Sequence, residues 1–219
     1  MSSPAMSDYL AKKILNLAFR GTSFTFPSVM YVALCNTTPT FSDTGTSIAI
    51  GAAAGTGVEV TGTSYVRVEY DPGTGNWSTA SGSGAETTSN SNAITFATAG
   101  GSWGTITGGA LCDNTKTTYT GKTFTNGSPT VNLTSTSGLN DNDPVWLSDG
   151  VNTLSTTISS HVTNTSVTLA ANWPFTTTAS GSLTDGGNML FYFALNSSKT
   201  VGTGDVFQFS ATNLSVELQ

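Results

Sequence analysis

Charge is scarce in this chain. Only 9% of its 219 residues are Asp, Glu, Lys or Arg, against roughly 25% in an ordinary soluble domain. Seven Lys and Arg face thirteen Asp and Glu, for a net charge of -6 and a pI near 4.4. Clustered basic side chains hold a phosphate backbone, so no direct nucleic-acid binding is expected. Disorder is a poor reading, because disordered chains combine high charge with few aromatics, and aromatics make up 10% of the sequence.

Groups for chemistry are scarce too. His161 is the one histidine, so a Ser-His-acid triad would have to use it. It lies in a Ser/Thr-rich hairpin candidate, and no Gly-x-Ser-x-Gly elbow is present to display a nucleophile. A surface role for His161 and no enzymatic activity are expected. The two cysteines, Cys35 and Cys112, each end an apolar run and read as small buried hydrophobes, with a disulfide the less favoured option. With one histidine they cannot build a structural zinc site without carboxylates. Asp141-Asn142-Asp143-Pro144 followed by Asp149-Gly150 has the outline of a calcium loop, but Pro144 and the missing terminal Glu break the EF-hand spacing. Turn chemistry is the favoured reading, and calcium at Asp141, Asp143 and Asp149 stays the alternative. No cofactor is expected. No apolar run approaches the roughly 18 residues of a membrane helix. A secretory signal is not expected either, because Lys12 and Lys13 interrupt the apolar stretch near the N-terminus.

What the chain has in quantity is Ser and Thr, about a third of its residues, together with 24 Gly. That mixture suits strands and turns rather than helices. One helix stands out. Ser7 is a good N-cap and Gly21 a good stop. Leu10, Ile14 and Leu17 fall on one face with Tyr9 beside them, while Lys12, Lys13 and Arg20 fall elsewhere. So short a helix must dock on something, either its own β core or a neighbouring subunit. Tyr9, Leu10, Lys13, Ile14, Leu17 and Arg20 are the candidate assembly contacts.

Beyond Gly21 the punctuation is that of an all-β chain. Strands are predicted at residues 28–34, 65–70, 93–96, 103–112, 189–195, 206–209 and 214–218, with loops over 42–57 and 71–91. In 65–70, Val66, Val68 and Tyr70 should be buried while Tyr65, Arg67 and Glu69 face water. Residues 124–184 look like a separate small module. Asn126-Gly127 opens it as a turn, and short strands follow at 130–134, 144–147 and 166–169. The expected organisation is an N-terminal arm and helix (1–21), a discontinuous β-sandwich (22–123 with 185–219) and an inserted, protruding β module (124–184). Trp146, Trp173 and Phe175 are read first as the module's core, with stacking on a sugar as the alternative.

Several blocks carry a resemblance. They include Ser7-Asp8-Tyr9-Leu10, Arg20-Gly21-Thr22, and Tyr31 to Leu34 running into Thr37-Thr38-Pro39-Thr40. Glu59 to Arg67, Ile94-Thr95-Phe96, Trp103 to Thr107, Leu195 to Val201, Gly204-Asp205 and Leu214 to Leu218 complete the set. In this order they resemble a family of tailed-phage virion proteins. Its members are labelled tail fibre or minor structural proteins, and some resemble capsid cement proteins with a jelly-roll body. The loop after Glu69 lacks the family's apolar run, and residues 116–187 form an insertion. The resemblance implies a jelly-roll-like β-sandwich and a homo-oligomeric virion component with no membrane association. Within that class, the low charge and the lack of long repeats or heptads favour a capsid decoration protein on the outer surface of the head, bridging subunits of the major capsid protein. The alternative is a tail or fibre component that contacts the host surface, with a surface glycan as the ligand of the insert.

Overall fold

The computed structural model describes residues 5–51, 57–83 and 86–218. Ser7 opens the first helix as its composition predicts. Its hydroxyl accepts the Leu10 N–H at 3.2 Å and donates to the Met189 carbonyl. After β1 (Ala5–Met6) come α1 (Asp8–Arg20), β2 (Tyr31–Thr37), α2 (Gly45–Ile50), β3 (Val58–Glu59) and β4 (Val68–Glu69). The chain continues through β5 (Ser81–Gly82), β6 (Glu86–Ser89), β7 (Ile94–Thr95), β8 (Gly104–Cys112), β9 (Thr117–Phe124) and β10 (Thr130–Asn132). It ends with β11 (Pro144–Ser148), β12 (Thr153–Val162), β13 (Ser166–Leu169), β14 (Thr178–Asp185), β15 (Met189–Val201), β16 (Gln208–Phe209) and β17 (Ser215–Leu218). Among the described residues every strand pairing is antiparallel and there are two helices; the fold is all-β.

The body is built on one six-stranded sheet ordered β1-β15-β8-β2-β3, with β4 also on β2. Two smaller sheets, β16-β7 and β17-β6-β5, cover it. Between them lies a core of Val32, Leu34, Ile106, Leu111 and Phe193 from the large sheet and Ile94, Phe207, Phe209 and Val216 from the small ones, with Phe96 and Trp103 filling the middle. This is why the strand signals spread over the whole chain. The first and last strands of the body meet across one core, and the residues between Cys112 and Met189 leave it and return.

Those residues build the second six-stranded sheet, ordered β10-β13-β12-β11-β14-β9, with β9 and β10 lying side by side so that the sheet nearly closes on itself. Its interior is separate from the body's and holds Phe124, Val145, Leu147, Ile158, Val167, Trp173 and Leu183. β9 pairs with β14 inside this sheet, so residues 117–123, expected in the body, belong with the module.

Four local expectations are corrected. Residues 71–91 were expected to be loop, but they contain β5 and β6, which pair with each other, and β6 pairs with β17. Residues 42–57 were expected to be loop, but they contain α2, whose capping box links Thr44 and Ser47; 52–56 lie outside the described residues. The alternation expected over 65–70 inverts in the middle. Arg67 is 5% exposed and Val66 is 63% exposed, because Arg67 has a buried partner in Glu59 while Val66 has no apolar neighbour layer to enter. The strand at 189–195 runs on to Val201, passing a register shift between Ala194 and Lys199. Cys35 and Cys112 are both buried and free.

Candidate assembly surface

The first turn of α1 is fastened to the body. Ser7 N–H donates to the Leu190 carbonyl at 3.0 Å, and Asp8 N–H to Phe41 at 2.9 Å. Leu10 is fully buried against Met30 and Leu190. Tyr9 meets Phe24 edge-on at 6.4 Å, and Lys13 places its ammonium 5.3 Å from the Tyr9 ring centre. Burial, and then the nearby Asp113 and Asp143, push the Tyr9 phenol up to about 12, so it stays neutral.

Beyond Lys13 the helix has no bed. Ile14, Leu15 and Leu17 are exposed, and Phe19 is 82% exposed. Gly21 ends the helix in the left-handed conformation (φ 65°), with its N–H on the Asn16 carbonyl. A helix of this length is marginal in water without an apolar partner. Of the six expected contacts, then, Leu10 belongs to the chain's own core, Tyr9 and Lys13 are half-buried against Phe24, and Ile14, Leu17 and Arg20 are free surface. The sequence reading missed Leu15 and Phe19. They stand four residues apart and form one ridge, a spacing that was legible.

Next to the helix base, Phe24 stacks edge-on against Phe26 at 6.1 Å. Phe26 in turn borders an apolar cavity of about 540 Å³ whose walls include Met30, Trp77, Leu111, Phe191 and Val216. The Trp77 ring packs on Tyr70 at 5.4 Å. Its Nε1–H is buried without a hydrogen-bond acceptor, alone in this among the buried side-chain donors and acceptors of the described residues.

The junction between body and second sheet is organised by Arg67. Its guanidinium meets Glu59 with two bonds, Nε to Oε1 at 2.9 Å and Nη2 to Oε2 at 2.8 Å. It also donates to the carbonyls of Asn114 (2.8 Å), Gly186 (2.6 Å) and Gly45 (2.7 Å). Asn114 and Gly186 lie where the chain leaves for the module and where it returns, so one side chain ties both passages to α2 and β3. Around it, Asp113, Asp143 and Asp185 are buried or nearly so. Burial first, and then the Asp143 charge, push the Asp185 carboxyl up to about 8. Burial likewise pushes Asp143 up to about 6.

The acids read as a calcium candidate are occupied in other ways. Asp143 accepts from the Asn140 backbone at 2.7 Å and from Asn188 Nδ2 at 3.2 Å. Asp149 caps its own turn through the N–H groups of Val151 (2.9 Å) and Asn152 (2.6 Å). Asp141 faces His161 at 2.8 Å on the surface. Among the described residues no group of three or more His, Cys, Asp or Glu side chains could hold a metal. In the module, Trp173 is 1% exposed, with Phe124 and Phe175 packed on it at 4.9 and 5.0 Å. A ring so enclosed offers no face to a sugar, which corrects the stacking alternative for Trp173. Phe175 is half-buried on the same core. Trp146 points to the other side of β11 from Val145 and Leu147 and is half-exposed. No helix among the described residues is long and apolar enough to cross a membrane.

Among the described residues, then, the chain consists of an all-β body, a β module with its own core, and a helix whose last turns are apolar and uncovered. A family model, Gp80, described as podophage GP4 fiber I protein gp80, matches residues 5–155, more than half of the chain. The protein belongs to that family and is a structural component of a phage virion. Among curated proteins none matches it.

Proposed function

We propose that this chain is a fibre component of a tailed-phage virion, held in the particle by α1 and presenting the β module toward the host surface. The observation that carries this reading is the helix. Its first turn is bonded into the body while Ile14, Leu15, Leu17 and Phe19 remain uncovered, the arrangement of an attachment element that is completed by another chain. The fibre description of the matching family supports the same place in the particle. The module's outer face, with half-exposed Trp146 among Thr and Ser, suits a surface glycan, because an aromatic ring with hydroxyl neighbours gives stacking and hydrogen bonds together.

A second reading, a capsid decoration protein that bridges major capsid subunits, is favoured by the low charge and by the absence of any long repeat or heptad pattern in the sequence. Cryo-electron microscopy of the virion decides between them. Density for this fold at the tail in a few copies supports the fibre reading. Density at every lattice position of the head overturns it in favour of decoration.

A further inference from the structure

The uncovered helix end and the apolar cavity beside the helix base each lack what the other offers. The ridge of Leu15 and Phe19 lacks an apolar bed. The cavity lined by Phe26, Met30, Trp77, Phe191 and Val216 is open and apolar, and the volume of about 540 Å³ is in the range of sites that enclose a ligand group.

Charge agrees. α1 carries Asp8 against Lys12, Lys13 and Arg20, a net +2 in a chain of net -6, so the remainder carries -8. Arg20 sits next to Phe19, and Glu86 lies on the rim of the cavity. Neither has an ion-pair partner among the described residues.

We propose that the cavity is the socket for the C-terminal turn of α1 from a second copy of this chain. Phe19 fills the apolar space, and Arg20 meets Glu86. Exchange of the two elements between two copies closes a dimer, and passing them on around a ring closes a larger cyclic assembly. This rests on the reading of α1 as an attachment element and names what it attaches to.

Disulfide trapping in the full chain tests it, because the native thiols Cys35 and Cys112 are buried. Chains carrying Phe19→Cys are mixed with chains carrying Thr79→Cys, whose side chain is exposed on the cavity rim, and are oxidised. The expected product is a mixed dimer that forms far faster than either variant forms a dimer alone. In sedimentation velocity the wild-type chain self-associates. Phe19→Asp, a change at an exposed position that leaves folding intact, weakens association by roughly a hundredfold, and Glu86→Lys, which reverses the charge that meets Arg20, by roughly tenfold, as expected of central contacts. A wild-type chain that stays monomeric up to about 0.1 mM, or that associates equally well with both substitutions, overturns the socket. So does a chain that stays monomeric but binds a purified capsid protein through Phe19. The fibre reading survives any of these results, since it is judged by where the protein sits in the particle.

Discussion

Replacing Arg67 with Met should destabilise this protein more than any surface change, and the geometry sets the size of the loss. The guanidinium makes five donor bonds, two to Glu59 and one each to the carbonyls of Asn114, Gly186 and Gly45. Glu59 is 1% exposed, so the substitution strands a buried carboxylate whose remaining side-chain donor is Tyr65 Oη at 3.0 Å. Breaking a buried ion pair from one side costs about 3–5 kcal/mol. The three deprived carbonyls add about 1 kcal/mol each where water cannot replace the donor. The sum approaches the 5–15 kcal/mol that holds a typical domain folded. Urea unfolding followed by tryptophan fluorescence and far-ultraviolet circular dichroism reads this directly. Trp77 and Trp103 report on the body, and Trp146 and Trp173 on the module. Arg67→Met should lower the midpoint strongly and separate the two signals, because the bonds that tie both chain passages to the body are lost. Arg67→Met combined with Glu59→Met should recover much of the loss, since neither charge is then stranded. A single-substitution cost below about 1 kcal/mol, the range of a surface ion pair, would refute the argument, as would a double variant no more stable than the single one.

Four further outcomes follow from the same structure. Asp185 is held above its usual value of 3.8, at about 8, so its protonated form is the one the fold favours. Its contribution to stability is complete below about pH 4 and is lost as pH rises toward 8. Thermal melts should therefore show stability falling from pH 5 to pH 8, and Asp185→Asn should flatten that slope. Gly109→Ala would drive a methyl group into the Ala33 carbonyl and the Phe193 ring, in the middle of the large sheet, and should cost about 1–3 kcal/mol or more, read from the urea midpoint. Trp173→Ala should cost about 3–5 kcal/mol in the module, whereas Trp146→Ala should change stability little. If Trp146 holds a glycan, Trp146→Ala should abolish cell-surface binding by the folded chain while leaving its melt unchanged.

How much of this was legible in the sequence depends on the range of the interactions involved. The first helix was readable to its ends because its signals are local. Ser7 and Gly21 are both caps in the structure. The dense apolar runs of β2, β8 and β15 were readable because a strand buried in a sheet needs little more than apolar side chains over several residues. α2 was not readable, because six residues with only Ile48, Ala49 and Ile50 apolar are too short to show a helical period. Arg67 was misplaced for the opposite reason. Alternation assigns a side chain by its neighbours in sequence, but this one is decided by Glu59 across a turn and by carbonyls at Asn114 and Gly186. Its burial is a tertiary fact that overrides a correct local pattern. Trp77 and the exposed Phe19 were passed over because each is ordinary alone. Only the fold places one in a cavity wall and leaves the other without a bed.

The same geometry explains how a body with one core can carry a second one. The chain leaves after Cys112 and returns at Met189, and these two residues are direct partners across β8 and β15. An excursion that starts and ends at one ladder rung leaves the pairing of the large sheet intact, and extra chain length between fixed ends adds only a slowly growing entropy cost. What it does demand is that the two passages be held in polar, buried surroundings where strand pairing stops. Arg67 meets that need with donors, and Asp113 does so as an acceptor, taking the Asn188 N–H at 2.6 Å. The junction is therefore conservative by physics, because any change there strands a charge or a carbonyl. The outer face of the module is under no such constraint. A virion protein built this way can vary the surface it presents on the module while the body keeps one core and one set of strand pairings.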